Sequence, residues 1–447
     1  MARGKKKEST LTPEEKLAQA LVPVEEQPYK VPANWCWVYL PNVCDYIRAG
    51  GDKPSIFSEE RTAELSVPVV ANGVQNEGII GFTDIENEKA GTVTVSGRGT
   101  IGYPILREYP YYPVVRLIVL APNKAILPNY LKNVFFCLEE EGTGSSIPQL
   151  TVPMLKSKPV PVAPINEQQR IVDCIEYLFA KLDEAKEKAQ SVVDSFEMRK
   201  AAILHKAFTG ELTAKWRAEH GVSDDSWSTV DITRIAKTEK DALKAGPFGS
   251  ALKKSMYVPE GYKVYGQEQV IAGDETIGDY YIDESKYQEL ISCKIAPHDI
   301  LISLVGTVGK VLVLSNSCKP GIINPRLIKI SLDENVMMPY FFKYYFESDS
   351  LKEMYKGESH GITMDVLNMR ILKTLPFPLC NLAEQEEIVH ILDNILSKEQ
   401  QAKEAAEAVL EKIDLLKKSI LARAFRGELG TNDPTEESAL ELLKRII

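Results

Sequence analysis

The chain has 447 residues, 44% of them hydrophobic and 26% charged, ordinary for a soluble globular protein of two to four domains. Its net charge of −10 excludes a uniformly basic nucleic-acid binder, and no apolar run approaches the roughly 18 residues of a membrane span. The start, Met1-Ala2-Arg3-Gly4-Lys5-Lys6-Lys7, lacks the apolar core of a signal peptide.

Seven scattered cysteines without a C-x-x-C pair speak against zinc clusters and disulfide frameworks, and for a reducing cytoplasm. The five histidines lie far apart. There is no Walker loop, no G-x-S-x-G and no strand-to-helix G-x-G-x-x-G. The expectation is no catalytic residue, no metal and no cofactor of the chain's own.

In chain order, Thr12-Pro13-Glu14-Glu15 carries a capping residue, proline at the first helical position and a glutamate, which predicts a short helix to about Leu21. Residues 32–165 then read as an α+β block. Its strands include Val114-Val115-Arg116-Leu117-Ile118-Val119, and a helical run covers Asn129 to Glu141. A Gly/Ser loop (Gly142 to Ile147) and an apolar, proline-containing strand follow. Residues 166–226 open with a long helix and end in a linker.

A second α+β block occupies 227–382, with a strand at Leu327-Ile328-Lys329-Ile330, a helical run from Pro339 to Tyr355 and a loop from Gly357 to Ile362. Residues 383–447 hold another long helix and a tail. There Asp433-Pro434-Thr435-Glu436 repeats the capping chemistry ahead of Leu440, Leu443 and Ile447. The two terminal helices are too short to stand alone in water and should dock on this chain or a partner.

The two long helices are copies of one another. Glu167 to Leu212 recurs as Glu384 to Leu429 at a constant offset of 217, with 18 of 46 positions identical. The first copy places Ile171, Ile175, Leu178, Leu182, Ala185, Ala189, Val192, Phe196, Arg199 and Ile203 at 4-3 spacing. The second places Ile388, Leu392, Ile395, Glu399, Ala402, Ala406, Val409, Ile413, Leu416 and Ile420 the same way. This is the heptad seam of a coiled coil, in helices of roughly 60 Å each. An antiparallel pairing with Ile171 opposite Ile420 would bring Ala185 to Ala406 and Ala189 to Ala402.

The blocks are related more weakly. Ser96-Gly97-Arg98-Gly99-Thr100-Ile101-Gly102 matches Ser303-Leu304-Val305-Gly306-Thr307-Val308-Gly309, whose glycines mark either tight hairpin turns or a close approach to phosphate. The charge is divided unevenly. Segments 166–226 and 383–447 sum to −3 and −5, whereas 30–165 and 227–382 carry only −1 each. A local basic face on either block is therefore compatible with the net charge.

The order block, Glu-Gln helix, block, Glu-Gln helix resembles the specificity subunit of type I restriction–modification systems, the HsdS family. The residues that carry the resemblance are Pro164-Ile165-Asn166-Glu167-Gln168-Gln169-Arg170-Ile171-Val172 and Leu382-Ala383-Glu384-Gln385-Glu386-Glu387-Ile388-Val389. The two Ala-Phe-x-Gly-Glu-Leu closings, the Gly-Thr-x-Gly pair and Gly246-Pro247-Phe248-Gly249-Ser250 add to them.

The resemblance implies two α+β target-recognition domains separated by two long helices in an antiparallel coiled coil, a pseudo-twofold repeat. Each domain would read half of a split site in double-stranded DNA, and the coiled coil would set the gap. The implied partners are two methylation (HsdM-like) subunits, which bind S-adenosylmethionine, and ATP-using restriction (HsdR-like) subunits. A membrane is not among them. The competing reading is a two-headed coiled-coil protein scaffold without DNA binding. Loop polar residues become candidates for base contact: Asn72, Gln75, Arg98, Ser145 and Ser146 in the first block, and Lys253, Lys254, Gln267, Gln269, Thr307 and His360 in the second.

Overall fold

The computed structural model describes residues 12–137, 149–305, 307–357 and 367–447. They form two compact units: the described residues of Met1–Gln190 with Ala408–Ile447, and those of Ser191–Glu407. Both units have the same sheet topology, which the weak match between the blocks did not foretell.

In the first unit, a four-stranded antiparallel sheet runs in the order Cys44–Ala49, Ile118–Pro122, Thr92–Val95, Pro104–Arg107. A three-stranded sheet sets Val67–Val70 between antiparallel Ile79–Thr83 and parallel Tyr112–Pro113. Cys36–Tyr39 pairs with Pro159–Val162. The second unit repeats each sheet. Its four strands are Leu243–Ala245, Leu327–Ile330, Ile300–Ser303 and Val311–Val313. Tyr262–Tyr265 lies between antiparallel Tyr281–Ile282 and parallel Gly321–Ile323, and Ser228–Val230 pairs with Phe377–Leu379.

The matched Ser-Gly-Thr segments are hairpin turns. Gly102 N–H donates to Ser96 O at 2.9 Å and Gly309 N–H to Ser303 O at 3.1 Å, closing the same turn in each unit. The left-handed φ of Gly99, Gly102 and Gly309 is what these glycines supply.

The Glu-Gln motif at the head of each long helix is a buried bracket. Gln168 donates to the carbonyls of Ala125 and Ala163 and accepts from Leu127 N–H, fixing the entry to helix Pro128–Cys137. Gln385 does the same with Val336, Cys380 and Met338 N–H ahead of helix Pro339–Phe346. Glu167 accepts from the indole of Trp35 at 2.8 Å, and Glu384 from that of Trp227 at 3.1 Å.

Each unit is closed by the start of one repeat and the end of the other. Phe425 packs edge-on against Tyr130 in the first unit, and Phe208 against Phe341 and Tyr345 in the second. Gly427 and Gly210 then end these helices in left-handed conformation, with φ of 72° and 79°. A Cβ on Gly427 would sit 2.4 Å from the Pro32 ring, so this closing also needs a glycine for space.

Several expectations are corrected. The first repeat is two helices, Ile165–Asp194 and Phe196–Phe208, whereas the second is continuous over Leu382–Ala424. At the break, Ser195 Oγ donates back to Ser191 O, and Arg199 bonds both Ser195 Oγ and Val192 O, so side chains satisfy the interrupted turn. Pro339 to Tyr355 is likewise split, into Pro339–Phe346 and Asp349–Gly357. The tail helix starts at Ala439, because Ser438 is its cap while Asp433 folds onto Thr435 in a local turn. The first short helix, Pro13–Ala20, has its capping box between Thr12 and Glu15 as the sequence predicts. Leu17, Leu21, Ala439 and Leu443 all join the core of the first unit.

The seam of the first copy is buried or half-buried throughout. In the second, Ala402, Val409 and Leu416 are exposed, and Lys403, Leu410 and Lys417 turn inward instead. The lysines place their ammonium groups over aromatic rings, Lys403 Nζ 4.8 Å from the Phe196 ring centre in the second unit and Lys417 Nζ 5.1 Å from that of Phe179 in the first. The register also differs from the Ile171–Ile420 pairing. Arg199 pairs with Glu399 at 2.8 Å, and Lys417 with Asp183 at 2.5 Å, about one heptad away from that alignment. The shift lets the single charged intruder of each seam neutralise the other, where the expected register would set both against apolar side chains.

This pair is half-exposed, so its value is modest. Glu399→Leu alone should cost about 1–2 kcal/mol by stranding Arg199, and Arg199→Leu with Glu399→Leu should recover most of it. Urea unfolding of the two variants checks this. A double variant no better than the single one would mean that the cost of Glu399→Leu does not come from a stranded Arg199.

Candidate nucleic-acid interface

In each unit, loops from the same topological positions, five in the first and four in the second, meet at one edge of the sheets. In the first unit they are Gly50–Lys53 after the edge strand, Asn72, the Gly97–Gly102 turn, Val115–Arg116 and Gln149. Backbone bonds join them: Gly50 N–H to Leu117 O at 2.7 Å, Val115 N–H to Gly51 O at 2.8 Å and Leu150 N–H to Gly97 O at 2.9 Å. Asn72 is the brace, with Nδ2 donating to Val115 O and Oδ1 accepting from Gly97 N–H, both at 2.7 Å.

The second unit builds the same cluster from Gly246–Lys254, Gln267, the turn after Ser303 and Asn324–Arg326. Gly246 N–H donates to Leu327 O at 2.9 Å, Leu304 N–H to Arg326 O at 3.0 Å and Asn324 N–H to Tyr265 O at 2.9 Å. Gln267 takes the place of Asn72, its Nε2 donating to Val305 O.

The predicted contact residues divide accordingly. Gln75, Lys253, Lys254 and Thr307 are exposed on or beside these clusters. Arg98 is half-buried, with its Nε lacking a partner among the described residues. Asn72 and Gln267 spend side-chain atoms on holding the loops together, so they shape the surface more than they present it. Gln269 is corrected outright. It is fully buried, with Oε1 accepting from Gly266 N–H and Nε2 donating to Ile277 O, so it faces no solvent. Ser145, Ser146 and His360 lie outside the described residues.

Two arginines were missed. Arg116 and Arg326 occupy equivalent places, each exposed and just ahead of the sheet strand that begins at Ile118 or Leu327. The apolar run around Arg116 predicts a strand there. In fact Val115 and Arg116 both have left-handed backbone, with φ of 41° and 63°, which for a β-branched residue is a true outlier costing roughly 1–3 kcal/mol. Arg116 Nη1 is held by Gln149 Oε1 at 3.0 Å. For Arg326 the available signal was Asn324-Pro325, a turn pair in front of an apolar strand.

Among the described residues, neither arginine, nor Lys253 or Lys254, is in an ion pair. Unneutralised cations on neighbouring loops are the electrostatic requirement for contacting phosphates and base edges. Four of the seven thiols are held as neutral groups by their surroundings. Burial pushes Cys36, Cys44, Cys137 and Cys380 up to about 12, leaving them packed as neutral groups. Among the described residues no cluster of His, Cys, Asp and Glu could hold a metal, and no helix is long and apolar enough to cross a membrane.

The family model described as "Type I restriction modification DNA specificity domain" matches twice, over residues 32–192 and 248–412. The EcoBI specificity subunit of Escherichia coli is 22% identical over 339 residues, covering 72% of this chain and 69% of that protein. The StySPI specificity subunit of Salmonella potsdam is 24% identical over 326 residues, covering 69% and 67%. The HsdS subunit of Thermoanaerobacter tengcongensis shares the fold, with a TM-score of 0.57 at 19% identity over 91% of this chain and all of that one. Two matches of the domain model, on two units with one sheet topology and one loop cluster each, place the chain in the type I restriction–modification DNA specificity family.

Proposed function

We infer that this chain is the DNA sequence-specificity subunit of a type I restriction–modification system, reading a split site in duplex DNA with one loop cluster per unit. The observation that carries this reading is the cluster itself. It is built twice from the same backbone positions, carries cations outside any ion pair among the described residues both times, and differs in its other side chains. A repeated scaffold with unlike tips is what two unlike half-sites require. A protein-only scaffold would leave the repeated cations without a role.

Methylation would come from partner subunits that carry the adenine chemistry, and cleavage from ATP-driven restriction subunits, with this chain non-catalytic. Val409, Leu415 and Leu416 leave apolar side chains uncovered on the second long helix, which supports a protein partner along that stretch. The acidic helices are suited to lying away from phosphates, and the near-neutral blocks to approaching them.

The test is to sequence methylated adenines in cells with and without the gene. Deleting it should erase a single bipartite motif and leave every other motif intact. If the system is expressed and no motif changes, the reading fails.

A further inference from the structure

Among the described residues Phe248 is the most exposed large apolar side chain, at 90% of its free surface, and it sits at the tip of a loop that is itself held firmly. Gly246 anchors one side. Its N–H bonds Leu327 O, and a Cβ there would lie 1.8 Å from Asn324 O, so no other residue fits. Leu252, buried in the core of the second unit, anchors the other side, and Ala251 N–H donates to Phe248 O at 2.8 Å to close the turn between them. A fixed loop that presents a phenyl ring to water gives up hydrophobic burial in the free protein. The ring therefore has a use when something covers it.

What surrounds it identifies the occupant. Lys253 and Lys254 follow on the same loop, and Arg326 belongs to the turn whose Asn324 carbonyl abuts Gly246. The ring thus shares its loop and the turn against it with cations that make no ion pair among the described residues, on the cluster assigned to DNA and not in an apolar groove. The equivalent position in the first unit is polar. Gly50 makes the same bond as Gly246, to Leu117 O, and the residue two further on is Asp52. The aromatic tip belongs to one reading head alone.

We propose that Phe248 is a wedge that inserts between two adjacent base pairs of the half-site read by the second unit, unstacking that step. The cations hold the backbone on either side, and the bared step gives the phenyl ring its apolar contact. The inference rests on the DNA-reading function and adds to it an asymmetry: one half-site is unstacked and the other is not. It also makes a flexible pyrimidine–purine step the favoured sequence at the wedge, because such steps unstack at least cost.

The experiment uses the full chain with duplexes carrying the motif found by methylation sequencing. 2-Aminopurine is placed in turn at each step of both half-sites, other than at the methylated adenine. Wild type should brighten the probe several-fold at one step of one half-site. Phe248→Ala should abolish the brightening and weaken binding about tenfold, while Phe248→Leu, still an apolar wedge, should retain much of both. Unchanged circular dichroism and urea midpoints confirm that the exposed position is not structural.

Brightening that survives Phe248→Ala, or normal DNA binding by a variant that no longer assembles with a methylation subunit, overturns the wedge. Both results leave the specificity function standing. A wild-type chain with no sequence-dependent binding at all would remove that function and the wedge with it.

Discussion

Replacing Glu384 by alanine is expected to destabilise the second unit by about 3–5 kcal/mol, the usual cost of breaking a buried ion pair from one side. Glu384 is fully buried, and its Oε1 accepts from Arg217 Nη1 at 2.7 Å, Thr213 Oγ1 at 2.7 Å and Trp227 Nε1 at 3.1 Å. The Arg217 guanidinium is itself buried, and Glu384 foremost among its partners holds its pKa above the ordinary value. Alanine would leave that charge with Asp224, an exposed carboxylate at 3.0 Å, as its remaining partner. It would also leave the Trp227 indole and Thr213 hydroxyl unanswered.

Glu167→Ala provides the internal comparison. Glu167 receives Trp35, Asn432 and Thr431, all neutral donors. Its loss strands no guanidinium and should cost less than the loss of Glu384. Glu384→Gln keeps an oxygen acceptor but removes the charge, and should fall between wild type and alanine. Urea unfolding followed through tryptophan fluorescence, with Trp227 reporting the second unit, gives the order. A Glu384→Ala midpoint equal to that of wild type would show the cluster to be dispensable.

The same cluster shows which parts of the fold were legible in the sequence. A Glu-Gln pair repeated at a fixed offset announces equivalent environments, and heptad spacing announces helices. Neither says that each glutamate would be met by residues just beyond the far end of the other repeat, Thr213 and Arg217 for Glu384, and Thr431 and Asn432 for Glu167. Those contacts are separated by well over 150 residues, and local patterning carries no information about them. Reading each block as a domain on its own therefore missed the segments that complete it.

The seam register failed for a related reason. Apolar spacing at 3.5 residues is satisfied equally after a slide of one heptad, so periodicity could not choose between alignments. The choice fell to the two charged intruders, Arg199 and Glu399, whose mutual neutralisation was a pairing argument available in the sequence but subordinated to the alanines. At the candidate interface, loop polarity singles out loops that the structure brings together, but several of their polar atoms are already engaged. Asn72 and Gln269 have the side chains that recognise adenine, yet backbone carbonyls and amides claim those same groups first. Arg116 was hidden by a run of apolar residues that reads as one strand but starts with a left-handed corner.

Those two arginines carry the largest functional expectation. Arg326→Ala should weaken binding to the motif duplex by roughly 10–100-fold and relax discrimination in one half-site only, the loss of a base contact worth about 1–3 kcal/mol. Arg116→Ala should do the same in the other half-site. Both occupy the corner where the cluster meets the first residue of a central strand, and both are free of carboxylates among the described residues. Arg116 is further braced by Gln149 and by its backbone, which fixes the direction of a long side chain before DNA arrives.

The lysines should behave differently. Lys253→Ala with Lys254→Ala should lower affinity for all duplexes alike, and reduce the slope of log affinity against log salt by about 2, as expected for two phosphate contacts. Titrations of motif, half-mutated motif and unrelated duplexes at several salt concentrations separate the two classes. If Arg326→Ala lowers the salt slope by about 1 without altering preference, it is a phosphate clamp, and base reading in that unit must come from elsewhere on the loop cluster. If either arginine variant loses discrimination in both half-sites together, the assignment of one half-site to each unit is wrong.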